Sequence, residues 1–141
     1  MTTKEILLVK NTWKLFRDVN PQVVGDAFYS KLFADNRSLR KLFPTDMETQ
    51  YRRLVDILNN IVLHLDDLQV ITTDLDALAA RHQQWGLKPS HYGFIGRALL
   101  WTLEQGLGRD WNEEVKNAWQ HCYNMLSERI TRYAENYTSV R

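Results

Sequence analysis

The chain has 141 residues, 44% of them hydrophobic and 25% charged, with 6 glycines and 3 prolines. This is the make-up of one globular domain that buries about 70% of its unfolded surface, and it excludes a disordered or fibrous chain. Eighteen basic and 17 acidic residues leave a formal charge of +1, too weak a field to gather nucleic acid, and the lone Cys122 excludes an internal disulfide and a thiolate-rich metal site.

The opening Met1-Thr2-Thr3-Lys4-Glu5 lacks the apolar run of a signal peptide, and no apolar stretch reaches membrane-spanning length. A cytoplasmic protein with no membrane partner is expected. Thr2 and Glu5 have capping-box spacing, and Ile6, Val9, Trp13 and Phe16 follow at helical intervals, predicting a first helix that ends near Asp18. Asn20 then Pro21 reads as an N-cap and first helical position, with Val24, Phe28 and Leu32 along one face and a break at Asn36-Arg37. Leu39, Leu42 and Phe43 suggest a short third helix stopped by Pro44.

Thr45 and Glu48 form another capping box. Behind it Met47, Gln50, Leu54, Ile57, Leu58, Ile61 and Leu65 recur at three and four residues, a long helix with one polar member in its apolar stripe. A fifth helix begins at Thr72 or Thr73, with Asp74 and Asp76 in its first turn, and ends at Gly86 before Lys88-Pro89. A sixth runs from Pro89 through Tyr92, Ile95, Leu99 and Leu103 to Gly106 and Gly108. Asp110 or Asn112 caps the last, which carries Val115, Trp119, Cys122, Leu126 and Ile130. Trp101, Trp111 and Trp119 read as core or helix-contact residues. No strand pattern, repeat or linker appears, so the fold class is all-α, about seven helices packed as one unit over residues 1–141.

Three residues stand out for their chemistry. His82 is in phase with Leu75, Leu78, Ala79 and Trp85, which puts its imidazole on the buried face of the fifth helix. It is either a core histidine satisfied by a hydrogen bond or a metal ligand. No second ligand residue stands at i+3 or i+4, which disfavours zinc and leaves an iron whose coordination is already mostly filled, as in haem. Gln50 either reaches water or backbone near its helix start or serves a ligand, since burying an unpartnered amide costs roughly 1–3 kcal/mol. Tyr29 follows Gly25 by one turn, where a missing side chain lets another helix cross closely; its ring is structural or its hydroxyl functional.

The stretch Ala80-Arg81-His82-Gln83-Gln84-Trp85-Gly86-Leu87-Lys88-Pro89-Ser90-His91-Tyr92, continued by Gly96-Arg97-Ala98-Leu99-Leu100, together with Phe28-Tyr29-Ser30-Lys31-Leu32-Phe33 and Leu42-Phe43, resembles bacterial single-domain globins and the globin domain of flavohaemoglobins. The likeness runs from the first helix to the last. It implies a globin fold around one haem b (iron protoporphyrin IX), with His82 as proximal iron ligand and Tyr29 and Gln50 as the distal pair that donates to a bound diatomic ligand. It further implies cofactor contacts from Phe43, Leu54, Leu78, Arg81, Leu87, Tyr92, Ile95 and Tyr123. Arg81 and Lys88 pair with haem propionates or lie on a solvated helix face. Tyr92 and Tyr123 match proximal tyrosines, whereas the glutamate of the flavohaemoglobin pattern falls on Ala134, with Glu135 turned about 100° away.

The 141 residues carry no counterpart of the flavin and nicotinamide domains, so turnover is expected to need a separate reductase. The function implied is reversible binding of dioxygen, nitric oxide and other diatomic ligands. Two distal donors imply slow release, which suits storage, scavenging or sensing better than transport. The alternatives are a nitric oxide dioxygenase or nitrite reductase fed by a separate reductase, or a haem-based gas sensor. His64, the one histidine on the fourth predicted helix, lies 14 residues past Gln50, about 20 Å along the axis, too far to act as a second iron ligand.

Overall fold

A computed structural model describes residues 1–44 and 46–139, with side chains through Tyr133. The first helix, α1 (Thr3–Phe16), opens on the expected capping box, in which Thr2 Oγ1 accepts from Glu5 N and Glu5 Oε1 from Thr2 N. It ends two residues before Asp18. Pro21 starts α2 (Pro21–Asp35), and the Asn20 side chain accepts from Gln22 N, so the cap and the pre-set φ of proline cooperate. The short third element is a 3-10 helix, Arg37–Leu42, capped by Asn36 Oδ1 on Ser38 N.

The cap of α3 (Met47–Leu63) is Asp46, whose carboxylate accepts from Thr49 N and Thr49 Oγ1. The expected Thr45–Glu48 box rests on Thr45, which lies outside the described residues. A 3-10 turn, Leu68–Ile71, leads into α4 (Thr72–Gln84), and Gly86 ends it at φ +86°, a left-handed conformation that a Cβ would strain. A 3-10 turn at Pro89–His91 precedes α5 (Tyr92–Leu107), and another at Gly108–Asp110 precedes α6 (Glu113–Ser139). Of the two expected caps, Asn112 is the one used: its Oδ1 accepts from Val115 N. Among the described residues there is no strand, and no helix is long and apolar enough to cross a membrane.

The helices form crossed layers: α2 packs on α3 and α5, and α6 packs on α1 and α4. The crossing of α2 and α3 hinges on Gly25. A Cβ there would fall 2.4 Å from both Tyr51 Cβ and Cγ, so only glycine lets the backbones approach this closely. Gly25→Ala is expected to destabilise the fold by about 1–3 kcal/mol despite alanine's better helix propensity, because α3 must be pushed away. A urea midpoint equal to that of the wild type would show that α3 moves freely.

Two polar joints tie α1 into the core. Thr12 Oγ1 donates to Leu8 O and accepts from the buried Trp119 Nε1 at 2.9 Å, and Trp13 Nε1 donates to Asn59 Oδ1 at 2.7 Å. Trp119 is therefore core, as expected, and Trp111 is half-buried against it. Trp101 is a helix-contact residue rather than core: it is 36% exposed, because Leu99 and Leu103 define the buried face of α5, and Lys31 Nζ of α2 lies 5.9 Å from its ring centroid.

Candidate functional site

Between α2, α3, α4, α5 and α6 the packing leaves a cavity of about 380 Å³, within the range of ordinary small-molecule and cofactor sites. Its walls are largely apolar: Phe28, Leu32, Phe43, Leu54, Ile57, Leu78, Ile95 and Leu99. Of the residues singled out from the sequence for this site, all but Leu87 and Lys88 line it. Leu87 is buried instead in the turn after α4, where its N–H donates to His82 O and closes the helix end. Lys88 is also absent from the lining, and its backbone N–H donates to His91 Nδ1.

His82 stands in the last turn of α4 and faces the cavity, on the same helix face as Leu75, Leu78 and Trp85. Burial, and then the positive charge of Arg81, lowers its pKa from the ordinary 6.5 to about 4. The imidazole is therefore neutral at physiological pH and has a lone pair to offer. Its Nδ1 lies 3.4 Å from the Tyr92 hydroxyl, which leaves Nε2 as the nitrogen for a ligand. Tyr92 is itself fixed from α6: Tyr123 Oη donates to Tyr92 O at 2.6 Å. Burial raises the pKa of the Tyr92 hydroxyl to about 12 and that of Tyr123 well above the usual phenol range, so both stay protonated. The glutamate position expected at Ala134, and Glu135 beside it, lie beyond the residues whose side chains are described.

Gln50 and Tyr29 also line the cavity. Gln50 is 3% exposed and Tyr29 7%, yet among the described residues neither the Gln50 amide nor the Tyr29 hydroxyl makes a hydrogen bond to protein. Both side chains line the cavity, so a molecule held there can supply the missing partner. Burial raises the pKa of Tyr29, so its hydroxyl remains a donor. The ring is held by aromatic contacts on four sides: Phe28 at 4.9 Å, Phe43 at 5.5 Å, Phe33 at 5.7 Å and Tyr51 at 5.8 Å. From Phe43 the aromatic wall continues to Trp85 at 5.5 Å and from Trp85 to His82 at 6.1 Å.

The lining also carries polar and charged residues from α3 and α4, namely Arg53, Asp56, Asn60, Asp74 and Arg81, with Asn60 Nδ2 donating to Asp74 Oδ2 at 2.7 Å. Arg53 escaped the sequence reading because single charges on helices are usually solvated. Its spacing was the available signal, since it stands three residues after Gln50 and so shares that face of α3. His64 does not line the cavity; it ends α3 with Nδ1 3.0 Å from Asn60 O. No group of three or more His, Cys, Asp or Glu side chains gathers among the described residues. A metal here has to bring most of its ligands with it.

Comparison with known proteins agrees with this architecture. The bacterial globin of Campylobacter jejuni superposes with a TM-score of 0.84 at 19% identity, covering 98% of this chain and 99% of that one. An engineered carbene transferase from Rhodothermus marinus superposes with a TM-score of 0.88 at 20% identity, covering 99% and 98%. In sequence, the flavohemoprotein of Vibrio cholerae is 26% identical over 131 residues, 91% of this chain but 33% of that protein. The chain spans about a third of the length of the flavohemoproteins it matches. The globin family model matches residues 26–130, from α2 through most of α6 and thus across the whole cavity, and the chain belongs to the globin family.

Proposed function

We propose that this chain binds haem b through His82 Nε2 and uses the pocket lined by Tyr29 and Gln50 to hold dioxygen or nitric oxide reversibly. One observation carries the reading: a single apolar cavity contains a neutral imidazole and two buried polar side chains with no protein partner. The residues present fit the group. A haem needs one imidazole rather than a cluster of ligands, and its flat apolar ring suits walls made by Phe43, Leu54, Leu78 and Ile95. Its two carboxylates suit the lining guanidinium groups of Arg53 and Arg81.

When bound, the haem supplies a ferrous iron that takes up diatomic gases. The protein does the rest. Tyr92 at Nδ1 fixes the orientation of the His82 ring, and a hydrogen bond there makes the imidazole a better electron donor. Tyr29 Oη and the Gln50 amide donate to the partial negative charge that a bound gas develops, and a dry apolar pocket strengthens both bonds. In this reading residues 1–141 act as one globin domain in the cytoplasm. The test is to expose the reduced, haem-loaded protein to dioxygen. A spectral change that reverses when oxygen is removed supports the reading, whereas immediate irreversible oxidation contradicts it.

A second reading is catalytic: nitric oxide dioxygenase or nitrite reductase activity with electrons from a separate reductase. The Tyr123–Tyr92–His82 arrangement favours it, because a more electron-rich imidazole pushes electron density toward iron. Sustained turnover with a reductase supplied separates this reading from simple binding.

A further inference from the structure

Tyr51 follows Gln50 on α3 and stood outside every pattern read from the sequence, yet it occupies an unusual place. Its side chain fills the notch left at Gly25, where an added Cβ would be 2.4 Å from Tyr51 Cβ. On one side its ring lies 5.8 Å from the ring of Tyr29, with 30° between planes, and Tyr29 lines the main cavity. On the other side Tyr51 lines a separate outer hollow of about 280 Å³, walled by Asn20, Pro21, Gln22, Glu48 and Arg52. Two hollows thus approach each other at the crossing of α2 and α3, with the tilted ring pair of Tyr51 and Tyr29 between them.

We propose that Tyr51 is the gate of a lateral route by which small uncharged gases pass from the hollow at Asn20–Arg52 to the pocket at Tyr29 and Gln50. The route is short because Gly25 removes the side chain that would otherwise thicken the wall between α2 and α3. The outer hollow is too polar and too small to hold a haem-sized apolar group, but it admits a diatomic molecule. Ring motion at Tyr51 opens the wall without moving a helix, which places gating on the timescale of side-chain and local motions.

The proposal rests on the reading of the main cavity as a gas-binding pocket, and kinetics separate a gate from a residue that merely holds Tyr29 in place. A gate lowers or raises one barrier for travel in both directions, so association and dissociation change by the same factor and Kd does not move. A positioning residue changes the bound state, and its effect falls on dissociation alone.

The experiment is laser photolysis of carbon monoxide from the haem-loaded wild type, Tyr51→Ala and Tyr51→Phe, with dissociation followed by ligand replacement. In Tyr51→Ala both rate constants are expected to rise roughly tenfold with Kd unchanged, while Tyr51→Phe, which keeps the ring and loses only the hydroxyl's link to Asp26, raises both by a smaller common factor. Tyr51→Leu replaces Tyr51→Ala if that variant fails to fold. Unchanged association, or a rise in dissociation alone, overturns the proposal. A second readout is xenon exchange between the pocket and solvent, measured by xenon-129 saturation transfer on the reduced, carbon monoxide-bound protein, which is expected to be faster in Tyr51→Ala. Equal exchange in the two proteins overturns the gate, whereas failure of the wild type to take up haem overturns the cofactor reading on which the gate rests.

Discussion

Tyr29→Phe is expected to release dioxygen roughly ten- to a hundredfold faster than the wild type, with association little changed. Tyr29 is a buried residue lining the cavity, and its hydroxyl makes no hydrogen bond to protein among the described residues and stays protonated because burial raises its pKa. A hydrogen bond to a charged acceptor contributes about 1.5–3 kcal/mol, and each 1.4 kcal/mol is a factor of ten in a dissociation constant. The ring contacts with Phe28, Phe33, Phe43 and Tyr51 survive the substitution, so the effect isolates the hydroxyl. Stopped-flow displacement of dioxygen by carbon monoxide measures it. A dissociation rate equal to that of the wild type would mean that the hydroxyl does not face the ligand.

His82→Gly is expected to have the larger consequence: haem transfer to an acceptor protein at least a hundredfold faster, equivalent to about 3 kcal/mol of lost binding. His82 is the cavity's one imidazole, and the other lining residues with nitrogen or oxygen donors are the amides Gln50 and Asn60, hydroxyls, and charged groups. Removing it leaves the iron without a protein ligand and opens a hollow the size of an imidazole. Free imidazole added to His82→Gly is then expected to fill that hollow and restore haem retention in large part. Retention already equal to the wild type, with or without imidazole, would move the ligand elsewhere.

These expectations trace back to features visible in the chain itself. His82 and Gln50 could be picked out because each is a polar group on a helix face whose other members are apolar, and Tyr29 because it follows Gly25 by one turn; folding brings all three to one cavity. The order of helices was legible for the same reason, with Asn20-Pro21, Gly86 and Asn112 marking boundaries the structure uses. The periodicity could not show that Arg37–Leu42 is a 3-10 rather than an α helix, since both repeat at about three residues. Nor could local spacing place Leu87, whose burial comes from the turn that closes α4, or Trp101, whose side of α5 is set by how α2 packs on it. Tyr51 was illegible because its role arises from contact with Gly25 on another helix, and such a pairing has no trace in either segment alone.

The most direct test of the central claim is a visible absorption titration of the wild type and His82→Ala with ferric protoporphyrin IX, followed by dithionite reduction. The account predicts a sharp Soret band that saturates at one haem per chain in the wild type, shifts on reduction and again with carbon monoxide, and is lost or broadened to that of free haem in the variant. No saturable band in the wild type, or the same spectra in both proteins, would contradict it.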